Sequence, residues 1–275
     1  MLNKIKFLSL LYIFILTSFA QTQYWDWTNG PKSGDVQLFV INPNGNFYAA
    51  FGGTVFRSEN NGQSWSYPQS GLYGKTIITL LTNNNSIFCG TEKNGIFRST
   101  DDGINWSRVG LDTFTVKSIA LDSNGSVIAG TNEAGIFIST NNGETWIDKN
   151  IGLPNYSIET IAIASNGEIF VGTNGQGIYR SSNHGESWIQ SGMLGYYISS
   201  VVINRNDDIF LGSLNKNGGV FRSTDYGLTW VESDSGSWFV SKDIDDLRDA
   251  GCEGAIIGKA VYEGKLTLKE LSAVC

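Results

Sequence analysis

The sequence predicts an all-β fold, specifically a β-propeller of five blades, and three observations lead to this prediction. Five similar octapeptides, each ending in tryptophan, recur between residues 58 and 230, and successive tryptophans are 40 to 42 residues apart. A period near 40 residues is typical of a four-stranded propeller blade. Glycine is abundant, at 33 residues, while only 16 % of residues are charged, which is typical of short strands joined by tight turns.

Each repeat unit has the pattern of four strands. An alternating first strand, as at residues 116–121 or 158–163, precedes a polar turn that often contains Ser-Asn-Gly. The second strand ends in Gly-Thr or Gly-Ser, as at residues 128–131, and the third carries Gly-Ile-Phe-Arg or its equivalent, as at residues 95–98. The octapeptide follows, and its tryptophan opens the fourth strand.

The octapeptide has the composition of a hairpin turn. Its third residue is Asn or Asp, whose side chain can accept hydrogen bonds from backbone N–H groups of the turn. Two residues later a glycine can adopt positive φ, and the tryptophan can bury its ring against neighbouring strands. We therefore interpret these positions as structural. They are Asn60, Trp65, Asp101, Trp106, Asn141, Trp146, Asn183, Trp188, Asp225 and Trp230.

These octapeptides resemble the Asp-box, or BNR, repeat of sialidases, xyloglucan-active glycosidases, sortilin-type receptors and photosystem assembly factors. The resemblance covers residues 23–236 and implies a propeller whose box hairpins lie away from the ligand face. The Arg-Ile-Pro sequence that marks sialidases is absent. A two-carboxylate glycosidase would need facing acids from different blades, and nothing separates the available ones from ordinary surface acids. These acids are Asp35, Asp112, Glu133 and Glu159.

Aromatic residues in the loops between blades are candidates for a ligand-binding rim. Exposed rings at such positions can stack on sugar rings or on side chains of a partner, so we predict a glycan or protein ligand. Packing between blades is the alternative explanation for the same residues. The rim candidates are Tyr73, Phe114, Tyr156, Tyr196 and Tyr197.

Charge, cysteine and histidine content exclude several classes of function. The net charge of −7 argues against nucleic acid or an anionic membrane as a partner. Three cysteines, Cys89, Cys252 and Cys275, do not form a disulfide framework. The single histidine, His184, lies inside an octapeptide and is interpreted as an exposed turn residue. We predict neither a metal site nor a cofactor.

Residues 1–20 predict a secretory signal peptide. Lys4 and Lys6 precede an apolar run of about 13 residues, and small residues precede a cleavage point after Ala20. A membrane anchor is the alternative, but the run is shorter than the roughly 20 residues that span a bilayer. Cleavage removes two lysines and changes the net charge from −7 to −9. The mature protein is then secreted, periplasmic or on the cell surface, without a membrane span.

The propeller predicted for residues 21–236 looks incomplete. Residues 23–29 resemble the strand that follows an octapeptide, yet the three strands that should accompany it are not supplied by the C-terminal part of the sequence. Either five blades close with an extra strand, or the array has been cut short. An open ring would expose strand edges and an apolar face between blades.

The sequence pattern changes near residue 237. Residues 237–275 contain no octapeptide and predict a helix at 242–250, a short strand at 255–257 and a final helix at 267–273.

Residues 243–271 resemble the C-terminal end of phosphoribosylformimino-5-aminoimidazole carboxamide ribotide isomerase, a TIM-barrel enzyme of histidine biosynthesis. The resemblance implies phosphate contacts at Gly258, Lys259 and Ala260. The barrel strands that carry the catalytic aspartates of that family are missing, and about 35 residues cannot bury a core alone. The chain therefore has the character of a chimera.

The sequence as a whole favours a secreted, non-catalytic propeller that binds a glycan or protein ligand. A glycan-active hydrolase is one alternative. The isomerase is a second alternative, implied only by the tail.

Overall fold

A computed structural model of the chain describes residues 36, 38–51, 53–67, 71–83, 85–154, 157–214 and 218–232. Within these ranges the regular secondary structure consists of β-strands, which form five antiparallel sheets that follow one another along the chain. The predicted fold class, an all-β propeller built from five repeat units, is confirmed. The predicted signal peptide, the strand at 23–29 and the tail at 237–275 lie outside the described residues.

The described strands pair in chain order within each sheet. They are β1 (Leu38–Ile41), β2 (Phe47–Phe51) and β3 (Thr54–Ser58) in the first sheet; β4 (Ile77–Thr82), β5 (Ile87–Thr91), β6 (Ile96–Ser99) and β7 (Ser107–Gly110) in the second; β8 (Val116–Leu121), β9 (Val127–Thr131), β10 (Ile136–Ser139) and β11 (Ile147–Asp148) in the third; β12 (Ile158–Ile163), β13 (Ile169–Thr173), β14 (Ile178–Ser181) and β15 (Ile189–Gln190) in the fourth; and β16 (Ile198–Ile203), β17 (Ile209–Ser213), β18 (Val220–Ser223) and β19 (Val231–Glu232) in the fifth.

The first sheet departs from the four-stranded pattern predicted for every unit. Its fourth strand is reduced to a single antiparallel bridge between Arg57 and Ser66. Trp65, which precedes this bridge, has no earlier sheet among the described residues to pack against.

The hydrophobic core lies between the sheets. Four buried clusters each combine side chains of two neighbouring sheets, for example Phe88 and Ile96 of the second sheet with Val116 and Ile119 of the third. The second strand of a blade is covered on both faces, and every residue of β5, β9 and β13 is buried. This explains why these strands are nearly continuous apolar runs. Burying one such Ile or Phe side chain contributes about 1.5–3 kcal/mol.

A β-bulge at the start of the first strand recurs in the second to fifth sheets. Pairing with the second strand skips one residue there, as between Val116 and Ser118 or between Ile158 and Thr160. A bulge leaves the extra residue unpaired and redirects its side chain. In the third and fourth sheets the extra residues are Lys117 and Glu159.

Candidate functional site

The two ends of the blades are built differently. At the octapeptide end lie the turns between first and second strands and the octapeptides between third and fourth strands. At the loop end lie the turns between second and third strands and the connections from one blade to the next. Because the strands alternate in direction, each end collects the same two connections from every blade.

The octapeptides form nearly identical hairpin turns in all five blades. The side-chain oxygen of the third residue accepts a hydrogen bond of 2.9–3.0 Å from the N–H of the seventh. The hydroxyl of the buried first residue, always serine, accepts one of 2.8–2.9 Å from the N–H of the fifth, always glycine. The third residues are Asn60, Asp101, Asn141, Asn183 and Asp225. Their polar atoms are thus used within the turn.

Two successive residues of each octapeptide have positive φ. The glycine at the fifth position has φ between 77° and 88°, and the residue before it has φ between 54° and 59°. Positive φ at both central residues suits a tight hairpin turn. Asn or Asp occupies the fourth position in three blades, but His184 and Tyr226 adopt the same conformation. His184 is exposed there, as the sequence predicted.

The octapeptide tryptophans connect neighbouring blades. The indole N–H groups of Trp146, Trp188 and Trp230 donate to backbone carbonyls of the preceding blade at 2.6–2.9 Å. Those of Trp65 and Trp106 donate instead to a glycine carbonyl of their own octapeptide. These side chains hold the array together.

A polar cleft of about 560 Å³ lies at the octapeptide end, between the first three blades. Several of its side chains bond to one another. Asn142 donates to the Ser86 hydroxyl at 3.0 Å, and Asn83 donates to the Asn142 amide oxygen at 3.4 Å. Asp102 pairs with Arg57 at 3.1 Å. These contacts tie turns of different blades together, so we interpret the cleft as part of the framework.

The loop end presents a turn whose tip differs from blade to blade. In three connections the four-residue turn that ends two positions before the next first strand is closed by a hydrogen bond of 2.9–3.0 Å from its fourth N–H to its first carbonyl. These turns span residues 72–75, 111–114 and 193–196. The second residue, at the tip, is Tyr73, Asp112 or Leu194. All three are exposed, Tyr73 to 99 % and Leu194 to 65 %.

The predicted rim aromatics divide between exposed and packed positions. Tyr73 is fully exposed. Phe114 is half-buried and stacks on Phe137, with ring centroids 5.7 Å apart. Tyr196 is half-buried and meets Phe221 edge to face at 5.6 Å. Each of these two rings thus packs on a third-strand ring of its own blade, and not between blades. Tyr156 lies outside the described residues.

A cluster of polar side chains from three successive blades lies at the start of the first strands. Lys117 on β8 and Glu159 on β12, the two bulge residues, are 3.5 Å apart, and the Glu159 side chain is only 9 % exposed. Tyr197, directly before β16, donates its hydroxyl to Glu159. Burial, and then the charge of Glu159 and this hydrogen bond, raise the pKa of Tyr197 to about 12. The phenol therefore stays protonated at neutral pH.

The remaining acidic candidates occupy separate positions. Asp112 pairs with Arg108 at 3.4 Å and both side chains are largely exposed. Glu133 accepts hydrogen bonds from the Thr115 N–H and from the Asn132 amide. Asp35 lies outside the described residues, as do Gly258, Lys259 and Ala260 of the tail.

The described part of the chain holds no group of three or more His, Cys, Asp or Glu side chains arranged to bind a metal ion. In the same part, no helix has the length and apolar character needed to cross a bilayer.

The fold and its two ends define this protein as a repeat β-propeller. More specifically, the chain belongs to the DUF6242 β-propeller domain family, whose model matches residues 68–245. Comparison with curated proteins finds no match.

Solved structures of several propellers share the fold. The GH74 xyloglucanase from Xanthomonas campestris is 16 % identical over 75 % of this chain and 38 % of its own, with a TM-score of 0.61. An extracellular domain assigned to a hybrid two-component system of B. thetaiotaomicron is 18 % identical over 75 % of this chain and 28 % of its own, with a TM-score of 0.60. YCF48 bound to D1 peptide is 15 % identical over 72 % of this chain and 69 % of its own, with a TM-score of 0.56.

The chain spans about a third of the length of the GH74 structures that it matches. At these identities the likeness concerns the fold, and function has to be argued from the site.

Proposed function

We propose that this chain is a secreted, non-catalytic propeller whose loop end binds a protein ligand. The observation that carries the proposal is the closed turn of the loop end, which keeps one backbone hydrogen bond and displays Tyr, Asp or Leu at its tip. A constant scaffold with variable exposed tips is the arrangement that recognition surfaces use. The octapeptide end, by contrast, repeats the same side chains in the same bonds.

The chemistry of the tips favours a protein over a glycan. Tyr73 and Leu194 are both largely exposed, and an aliphatic tip offers nothing that stacks on a sugar ring. Aromatic residues such as tyrosine are enriched where proteins bind proteins. A glycan is the second candidate ligand, supported by the fully exposed Tyr73 ring.

The buried polar cluster supports a role other than catalysis. A tyrosine nucleophile would need a lowered pKa, or a neighbouring base that is not already paired with a cation. The pKa of Tyr197 is raised to about 12 instead. The only carboxylate in the cluster, Glu159, also lies 3.5 Å from the Lys117 ammonium. The ion pair of Lys117 with Glu159, together with the Tyr197 hydroxyl, therefore forms a structural contact between three blades.

Binding selections on the full chain test this proposal. A displayed peptide library and a glycan array are probed with the wild type, and the recovered binders are measured against Tyr73→Ala and Leu194→Ser. We expect peptide binders to weaken by at least about tenfold in both variants, since loss of an interface anchor costs about 1.4 kcal/mol or more. Ile189→Ser is the matched control, because Ile189 is 55 % exposed on an outer strand.

Two outcomes would contradict the proposal. Binders that are indifferent to both tip variants, yet sensitive to Ile189→Ser, would place recognition elsewhere. Release of reducing ends from any glycan in a hydrolysis panel would contradict the non-catalytic assignment. Selective retention on the glycan array with loss in Tyr73→Ala alone would favour the second ligand class.

The finer assignments belong to the same proposal. We infer that the five octapeptides are Asp-boxes, supported by their common serine, Asn or Asp, glycine and tryptophan and by their common turn. Secretion is supported by the sequence of residues 1–20 and by the extracellular origin of a propeller with the same fold. The intact mass of the exported protein tests it, because cleavage after Ala20 removes a defined mass. No feature of the described residues supports the isomerase alternative.

A further inference from the structure

Three blade junctions inside the chain repeat one apolar contact. A glycine of the second strand faces a β-branched residue that opens the first strand of the next blade. A methyl group added to any of these glycines would lie 2.6–2.8 Å from a side-chain carbon of that residue. The pairs are Gly90–Val116, Gly130–Ile158 and Gly172–Ile198. The absence of a side chain on the glycine is thus what lets the next blade approach.

A hydrogen bond accompanies this contact at two of the junctions. Arg98 Nη1 donates to the Asn142 carbonyl at 2.5 Å, and Arg180 Nη1 donates to the Tyr226 carbonyl at 3.0 Å. In both cases the donor is the penultimate residue of a third strand and the acceptor is the fourth residue of the next octapeptide. An apolar contact and a directed hydrogen bond together fix how one blade sits on the next.

The fifth blade carries the same groups, and no blade follows it within the described residues. Among the described residues, a methyl group on Gly212 would meet serine hydroxyls of its own sheet and no residue of another blade. Arg222 turns back and donates to Asp208 of its own sheet at 2.7 Å. Leu214 is 53 % exposed. We call the surface formed by Gly212, Leu214 and Arg222 the outgoing face.

The first blade carries the complementary surface. Val36 and Phe39 are 46 % and 51 % exposed. In the other four blades the matching residues are at most 8 % exposed, because they pack on the preceding blade. These residues are Ile77, Leu80, Val116, Ile119, Ile158, Ile161, Ile198 and Val201. We call the surface formed by Val36 and Phe39 the incoming face. Val36, Phe39 and Leu214, which belong to these two faces, are all largely exposed in the described part of the chain.

We propose that the outgoing face of one copy binds the incoming face of a second copy, so that the chains associate head to tail. The two faces are the two halves of the junction that recurs within the chain, and this complementarity selects a second copy as the partner. Val36 of a second copy packs on Gly212. Arg222 leaves Asp208 and donates to the Asn61 carbonyl, the fourth octapeptide position of the second copy. Such an interface joins unlike surfaces, so copies assemble into a ring or an open chain.

Sedimentation analysis of the full chain over a range of concentrations tests the proposal. We expect the wild type to form species at multiples of the monomer mass. Phe39→Asp places a charge on the incoming face at a residue that is already half exposed, so the chain still folds. We expect it to weaken association at least tenfold. Ile189→Asp, which changes an apolar residue of similar exposure on an outer strand, is expected to associate like the wild type.

Paired cysteines test the register of the contact. In a background that carries Cys252→Ser and Cys275→Ser, Val36→Cys is introduced in one copy and Gly212→Cys in another. At two internal junctions the corresponding β-carbons would lie 2.9–3.0 Å apart, closer than the roughly 3.5–4.5 Å of a disulfide, so a bridge requires the two faces to sit slightly further apart than within the chain. Oxidation of the mixture is expected to give a covalent dimer of one copy of each kind.

Several results overturn the proposal. A wild type that stays monomeric at all concentrations would mean that the faces are covered from within the same chain. Association that is unaffected by Phe39→Asp would place the contact elsewhere. A disulfide that forms between two Val36→Cys copies, with no mixed dimer, would mean that like faces pair instead.

Discussion

Gly172→Ala probes how tightly two blades are packed. Gly172 lies on β13, and a methyl group there would come within 2.6 Å of the Ile198 side chain and 2.7 Å of Thr160. It would also lie 2.9 Å from Cβ of Ile198, a distance that real β-carbons do not show. Ile198 is completely buried, so it cannot swing aside. The methyl group must therefore push β16 away or displace neighbouring side chains.

The expected cost follows from the kind of strain. Inserting a methylene or methyl group into a packed core destabilises a protein by about 1–3 kcal/mol. Backbone strain does not add to this, because Gly172 does not have positive φ. Ala50 occupies the matching place in the first sheet and is buried, so a methyl group fits where the next strand leaves room. We therefore expect about 1–2 kcal/mol for Gly172→Ala.

Urea unfolding measures this cost, and Gly212→Ala is the matched control. A methyl group at Gly212 meets only hydroxyls, the nearer being Ser200 Oγ at 2.7 Å, which can rotate away. At concentrations where the chain is monomeric, we expect Gly212→Ala to change the free energy of unfolding by less than about 0.5 kcal/mol. An unchanged m-value would show that the same surface is exposed on unfolding. Equal losses in the two variants would refute the reasoning, since then the next blade would not be the cause.

Two further perturbations test the octapeptide and the buried cluster. Ser139→Ala leaves the buried Gly143 N–H without its acceptor. We therefore expect the free energy of unfolding, measured in urea, to fall by about 1–3 kcal/mol. In the control Ser123→Ala, at an exposed serine, it should change by less than about 0.5 kcal/mol. Similar values for both would show that the hydroxyl is dispensable. Glu159→Gln removes a charge that raises the pKa of Tyr197, so ultraviolet titration should show that pKa fall from about 12 toward 10. Because this folded-state pKa lies above the unfolded value near 10, the wild type should lose stability as the pH rises from about 10 to about 12, and Tyr197→Phe should lose less, while the raised pKa values of Tyr48, Tyr179 and Tyr226 keep their own contributions. A pKa unchanged by Glu159→Gln would assign the whole shift to burial.

Most of the fold can be predicted from the sequence, because the five repeats can be aligned with one another. The predicted first strands at 116–121 and 158–163 coincide with β8 and β12. Alternating apolar residues in a strand and a glycine in a turn are local features of the sequence. Five imperfect copies of the repeat are therefore enough to identify them. The fourth strand of the first sheet is different, because within the described residues it is a single bridge, although the sequence of its unit matches the repeat pattern.

The candidate site can be predicted only in part, because the exposure of a loop side chain depends on what it packs against. Residue type alone predicts the aromatic rim candidates; of those that the structure describes, Tyr73 is fully exposed, whereas Phe114 and Tyr196 pack on rings of the third strands. Leu194 at a turn tip was not singled out, although its position relative to the next strand matches that of Tyr73. The pairing of Lys117 with Glu159 depends on the register shift at the bulges, which single-strand patterns do not reveal.

Strand order explains why variation is concentrated at the loop end. The connection between blades runs from the fourth strand of one sheet to the first strand of the next. The residues at its tip are therefore not paired with a neighbouring strand. The turn at its tip needs only one backbone hydrogen bond, and residues as different as Tyr73 and Asp112 satisfy it. The conformation of an octapeptide depends on more residues. Its serine hydroxyl accepts a backbone hydrogen bond, two successive residues have positive φ, and the tryptophan of the third blade, for example, donates to a carbonyl of the preceding blade. A change of ligand can therefore arise at the loop tips without loss of stability, whereas a change within an octapeptide alters the framework itself.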